Sequence, residues 1–290
     1  MISTLKNKNV TIQVKSIGAE LSSFKKNNDD FEYIWNGNKE FWSGQSPVLF
    51  PIIGNLVDGI ARIGEKNYIL GNHGFARKTE FELVEATEEK LIYSLKYNKI
   101  TLAMYPFKFD LQLTYTLNED SVNILYKVIN LDNKSIYFQL GTHPGFNCPT
   151  DKNLSFSDYF LEFNKPETLK RNFCDTSNLL IENKEVSLLE NSNKLKLSHN
   201  MFYDGALLIR DVKSNSIFLK NKNNLRSVNV LSKNFPYLGI WQPKDAPFVC
   251  VEPWHGLAES KSFKGKFKEK EMIIELGVGE VHCASLTITI

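Results

Sequence analysis

Apolar and polar residues alternate along most of this chain with a period of two. Val10–Lys15 and Lys90–Tyr97 follow the pattern, and Phe107–Leu117 keeps it for its whole length. Asn118-Glu119-Asp120 then gives a turn signal before Val122–Val128, which predicts a β-hairpin. Residues 136–140, 206–209, 216–219, 227–231, 248–251 and 284–290 read as further strands. A second hairpin is expected at 62–70, followed by a strand at 80–84. Such alternation buries one face and wets the other, the habit of antiparallel sheets. Helical periodicity is scarce: 38–42 fits one short turn, and 176–189 is too polar and broken for a helix. Many strands separated by Asn, Asp and Gly turns predict an all-β fold, a β-sandwich or a related antiparallel architecture. No composition break, Pro-rich linker or repeat divides the chain, so residues 1–290 are expected to form a single domain. The polar stretch 150–200, dense in Asn, Lys and Glu, is expected to hold long surface loops.

Composition narrows the function classes. With 35 Lys+Arg against 33 Asp+Glu the formal net charge is +2, which argues against a nucleic-acid or polyanion partner held by bulk charge. The Lys-rich run 261–270 reads as a solvated edge. No stretch approaches the ~18 apolar residues of a membrane span. The first residues lack the apolar region that export requires, so a cytoplasmic location is expected. Four cysteines, Cys148, Cys174, Cys250 and Cys283, show no CxxC pairing; Cys250 and Cys283 sit in apolar runs and read as buried small hydrophobes.

Three short motifs concentrate the candidate chemistry. His73 stands in Asn-His-Gly-Phe-Ala-Arg, with glycines at 71 and 74 that allow close approach of a ligand and Arg77 as a planar donor fork. His143 stands in Thr-His-Pro-Gly-Phe-Asn, where Pro144 forces extended geometry on the histidine and Phe146 offers an apolar wall. Glu252 follows the apolar run 247–251 and precedes Pro253 and Trp254. A carboxylate there is costly unless paired or working, because desolvation raises its pKa. An imidazole and such a carboxyl are the minimum kit for moving one proton on and another off a neutral substrate. Aromatic neighbours suit a ligand with apolar faces and polar edges, such as a sugar ring. Asp204, before Gly205, reads as a turn former or as a ligand for hydroxyls. Each motif taken alone also fits a bland role: a loop histidine bonded to backbone, or a glutamate emerging into solvent. Nothing resembles the GxSxG elbow of a serine hydrolase, and compact metal motifs such as HExxH are absent.

Taken in order, the segments resemble the aldose 1-epimerase (galactose mutarotase-like) superfamily, in particular its LacX-like branch. The resemblance covers essentially the whole chain. It runs from Gly18–Leu21 through Pro47–Gly54, the His73 and His143 motifs, Leu238–Trp241 and Phe248–Trp254 to Leu276–Glu280. It implies a large antiparallel β-sandwich with an open cleft on one sheet, and a sugar as small-molecule partner. It also implies that neither metal nor cofactor takes part, in a monomer or homodimer. By the same resemblance His143 is the general acid towards the ring oxygen and Glu252 the base on the anomeric hydroxyl. His73 orients the sugar and Asp204 binds its hydroxyls. The expected substrate-binding set is His73, Arg77, Asp204, Asn55, Trp254 and Phe146. Many relatives carry Arg where this chain has Asn55, which keeps a catalytically weak carbohydrate-binding protein as an alternative. Arg77 keeps a hexose-6-phosphate 1-epimerase as another.

Overall fold

A computed structural model describes residues 1–223 and 226–290. Among them, fifteen strands join in one sheet whose pairings are all antiparallel. From one end it runs through Val48–Leu49, Leu140–Thr142, Phe248–His255, Tyr237–Trp241, Leu207–Ile209 and Tyr159–Cys174. It continues through Ser216–Asn221, Val228–Lys233, Val281–Thr289 and Ser121–Asn130 to Phe109–Asn118, Lys90–Lys96 and Glu82–Ala86. A twisted sheet this wide curls over itself, and the inward side chains of its two halves make the core of a large antiparallel β-sandwich. The alternation in the sequence is what fills it. In Phe109–Asn118 and Ser121–Asn130, register-paired as the expected hairpin, Leu111, Leu113 and Tyr115 meet Val128, Tyr126 and Ile124 from the buried side.

A separate three-stranded sheet, Ile2–Lys6, Val10–Lys15 and Glu20–Lys26, covers one flank. Tyr93 and Tyr115 fasten it, donating their hydroxyls to the carbonyls of Val14 and Ala19. The small hairpin of Ile60–Ile63 and Lys66–Ile69 stands where expected. One short helix, Lys99–Met104, has no period to announce it. Asn98 starts it with a capping box, its side chain accepting from Ile100 and Thr101. No helix among the described residues is long and apolar enough to cross a membrane.

Three expectations need correction. The stretch 150–200 holds two of the longest strands, Tyr159–Cys174 and Leu180–Lys196, rather than long loops. The second is mostly exposed and pairs with the first through four register shifts, so its backbone bonds carry it without an apolar pattern. Cys283 is exposed because its strand turns it outward, whereas Cys250 is buried. Lys270 is 2% exposed, not part of a solvated edge. Its ammonium donates to the Leu257 carbonyl, and burial lowers its pKa to about 8.

Candidate active site

The site is built on the strand Phe248–His255. Period-two geometry turns Cys250, Glu252 and Trp254 to one face. On one side Gly239 pairs with Glu252 and Trp241 with Cys250. On the other, Gly141 pairs with Trp254 and Gly145 with Cys250. Continuing that register between its two anchors puts His143 directly opposite Glu252. The strand does not stop at the glutamate, as the sequence suggested; it runs three residues further, so Glu252 rises from its middle. Glycine at 141 and 239 has a definite cause. A Cβ at either position would come within 2.7 Å of the Trp254 indole, which lies across both backbones and donates Nε1–H to the Thr142 carbonyl.

His143 Nε2 and Glu252 Oε2 are 3.2 Å apart, at contact but without the alignment of a hydrogen bond. Glu252 is 1% exposed and His143 7%. Trp42 stacks on the imidazole at 4.7 Å between centroids, Trp241 meets it edge-on at 5.5 Å, and His73 stands perpendicular at 5.9 Å. Burial drives both members of the pair towards their neutral forms. It pushes the Glu252 carboxyl well above the ordinary carboxylate range and lowers the His143 imidazole to about 3.

His73 arrives from a loop whose backbone is set by local geometry, with φ of +61° at His73 and +69° at Gly74. A side chain at Gly74 would collide with the Phe50 carbonyl, its Cβ 2.2 Å from that oxygen. The main chain of His73 donates to Gly54 O, and its Nδ1 accepts from Gly54 N–H at 3.0 Å. An accepting Nδ1 leaves the ring proton on Nε2. Burial, aided by His143 and Arg77, holds the pKa well below the ordinary histidine value, so this ring is a neutral donor. Arg77 donates Nη2 to the Asn72 carbonyl, while its buried Nε has no partner.

These groups line one cavity of about 810 Å³. Six of the eight expected site residues border it: Glu252, His143, His73, Arg77, Asp204 and Trp254. Asp204 lies on an exposed turn that Arg171 fixes by donating to the carbonyls of Met201 and Gly205. The other two expected residues lie outside the lining. Phe146 is 0% exposed: it bridges to Ile34 and its ring fills the core, because Gly145–Asn147 pairs along the buried strand. Asn55 donates Nδ2 to the Ser177 carbonyl at 2.7 Å, behind the turn that forms one cavity wall.

The sequence profile of the family described as Aldose 1-epimerase matches residues 1–275. The chain belongs to the aldose 1-epimerase family. It is 34% identical to the plasmid-encoded Protein LacX of Lactococcus lactis subsp. lactis, over 99% of this chain and 98% of that protein. Among solved structures, a galactose mutarotase related enzyme from Lactobacillus acidophilus matches with a TM-score of 0.94 and 32% identity, covering 100% of this chain and 97% of that one. A galactose mutarotase-like protein from Lactobacillus casei ATCC 334 matches with a TM-score of 0.92 and 29% identity, covering 100% and 99%.

Several residues outside the expected site set line the same cavity, and sequence reasoning did not assign them to it. Trp42 follows a turn closed on Asn38, and only a glycine at 44 leaves room for its indole. Trp241 closes the Leu-Gly-Ile-Trp strand, where its alternation with Gly239 was the available signal. Asp175, Lys184 and Lys261 come from the polar stretches read as loops and edge, and sequence separation gave no hint that they converge.

Proposed function

We propose that this protein is a mutarotase interconverting the α and β anomers of a free hexose by acid–base ring opening. The observation that carries the reading is the His143–Glu252 pair, 3.2 Å apart at the cavity wall. The anomeric hydroxyl and the ring oxygen of a pyranose hang from one carbon, so two proton-transfer groups in contact with each other can serve both. Ring opening takes a proton from O1, forms the C1=O1 bond, breaks C1–O5 and delivers a proton to O5. Rotation about C1–C2 presents the other carbonyl face, and the reverse transfers close the opposite anomer. The pair holds one exchangeable proton overall. Carboxylic acid with imidazole and carboxylate with imidazolium contain the same protons, so a bound sugar's hydroxyls need only favour the second form. In that form Glu252 is the base on O1 and His143 the acid on O5, with His73 donating Nε2–H and Trp254 offering an apolar face. Positioned acid–base groups contribute roughly 10²–10⁴ each.

Polarimetry on freshly dissolved α-glucose and α-galactose tests the reading: wild type accelerates the rotation change and Glu252→Gln does not. Full activity in that variant would overturn the assigned role. Saturable sugar binding without acceleration by wild type would favour the carbohydrate-binding alternative. One observation supports a hexose 6-phosphate as substrate instead, namely that Arg77, Lys184 and Lys261 line the cavity. Against it, Lys261 already faces Asp175 at 3.6 Å and Asp204 adds negative charge. Saturation-transfer NMR on free and phosphorylated aldoses, with Arg77→Ala alongside, separates the two.

A further inference from the structure

Cys250 has no part in the chemistry above, yet it stands on the same face of the same strand as Glu252 and directly across from Gly145, which has no side chain to cover it. A Cβ at Gly145 would lie 3.4 Å from the Cys250 sulfur. The sulfur, the His143 ring nitrogen and a Glu252 carboxylate oxygen all lie within 4.8 Å of one another, and all three residues are buried. Glu252 Oε2 has no hydrogen-bond partner although it is shielded from solvent. An orphaned buried oxygen, an imidazole and a thiol are a mixed nitrogen, oxygen and sulfur donor set, the kind that a borderline-soft divalent ion prefers. Two of the three donors open to the cavity, which supplies both an entry path and room for a fourth ligand from water or sugar.

We propose that His143, Cys250 and Glu252 form a binding site for Zn²⁺ or a similar divalent transition metal, and that occupancy shuts off the acid–base pair. Bonds of about 2.3 Å to sulfur and about 2.0 Å to nitrogen or oxygen put tetrahedral donors roughly 3.5 Å apart. The His143–Glu252 separation already meets that, and the Cys250 sulfur closes the rest by a rotamer adjustment. On binding, the Cys250 thiol and the Glu252 carboxyl release their protons to solvent while neutral His143 gives its ring lone pair. The dication is then matched by two anionic ligands. A metal so held takes the lone pairs that the sugar's protons need. The metal site rests on geometry alone; its inhibitory consequence rests on the mutarotase reading.

The test is titration of the full chain with Co²⁺ alone, followed by displacement with Zn²⁺. Wild type should bind one Co²⁺ with tetrahedral visible bands and a near-ultraviolet thiolate charge-transfer band, both lost on adding Zn²⁺. Cys250→Ala should lose the charge-transfer band and bind Zn²⁺ at least about tenfold more weakly. Cys148→Ala/Cys174→Ala/Cys283→Ala, which leaves Cys250 as the one thiol of the chain, should keep the band, and it decides the question should Cys250→Ala fail to fold. Absence of a stoichiometric band in wild type, its survival in Cys250→Ala, or its loss in the triple variant overturns the site. Zn²⁺ should also stop mutarotation by wild type at concentrations that spare Cys250→Ala. A protein that shows the band but accelerates no sugar would sink the mutarotase reading and leave the metal site standing.

Discussion

His143 and Glu252 face each other across neighbouring antiparallel segments, their nearest side-chain atoms 3.2 Å apart, and burial disfavours charge on both. The stability consequences have opposite signs. The unfolded chain protonates His143 below its ordinary pKa of 6.5 while the folded chain does so only near 3, so stability is lost as pH falls through that window. The Glu252 carboxyl keeps its proton in the folded chain above the pH at which the unfolded chain gives it up. Its contribution is therefore lost as pH rises from 4.5 towards the raised value. His143→Asn should gain on wild type by about 4 °C in Tm as pH drops from 7 to 5, since 1.5 pKa units correspond to about 2 kcal/mol. Glu252→Gln should gain on wild type as pH rises. Differential scanning calorimetry with a chelator present measures both. Tm differences that stay constant with pH would show that the pair is not held neutral.

His73 offers a cleaner separation of fold from function. Asn tolerates positive φ and can present its side-chain oxygen to the Gly54 N–H where Nδ1 now accepts. His73→Asn should therefore keep the unfolding free energy within about 1 kcal/mol of wild type, the scale of one exchanged hydrogen bond. It also removes the Nε2–H donor, so kcat/KM should fall roughly tenfold to a hundredfold, by the kinetic reading of one lost donor. His73→Leu leaves the Gly54 N–H without an acceptor and should cost about 1–3 kcal/mol in addition. Denaturation curves beside polarimetric rates distinguish the two variants.

Gly239 is the point where sheet geometry sets the cavity wall. It is paired on both sides, with Leu208 and with Glu252, so its backbone has no freedom to withdraw. In Gly239→Ala the new methyl would stand 2.7 Å from Trp254 Cζ2, and the indole must move away from the Thr142 carbonyl. Overpacking of this kind costs about 1–3 kcal/mol. The expected outcome is a raised KM with a smaller change in kcat, together with a shift in tryptophan emission. Normal kinetics would mean that Trp254 does not bear on the sugar.

The alternation that predicted the sheet was legible because each strand has one buried face, as in Phe109–Asn118. Leu180–Lys196 was not, because it buries almost nothing and follows a bulged partner. The motif histidines and Glu252 were legible from rigid neighbours: glycine, proline and aromatic residues restrict where a side chain can point. Phe146 misled for the same reason in reverse. It lies three residues after His143, but the pleat turns it into the core. Convergence of Trp42, Trp241 and the turn at Asp175 depends on a sheet register that no local pattern encodes.

Asn55 is the remaining test of how the cavity is held together. Its side chain fastens the Ser177 carbonyl, in a turn that Asp175 stabilises by accepting from Ser177 and Leu179. The same segment is tied by Leu180 N–H to Glu259 O and by Lys261 N–H to Leu180 O. Because those ties remain, Asn55→Ala should lower global stability by only about 0.5–1.5 kcal/mol, the worth of one hydrogen bond. The turn itself should loosen: amide exchange at 176–178 should speed up, because local opening needs fewer bonds broken. Sugar affinity should weaken severalfold as that wall becomes mobile, while the pH–rate profile keeps its shape, since His143 and Glu252 are untouched. Should Asn55 instead bond the sugar directly, the affinity would fall with the exchange rates unchanged. Hydrogen exchange measured beside isothermal titration therefore tells a clasp on the wall from a contact with the ligand.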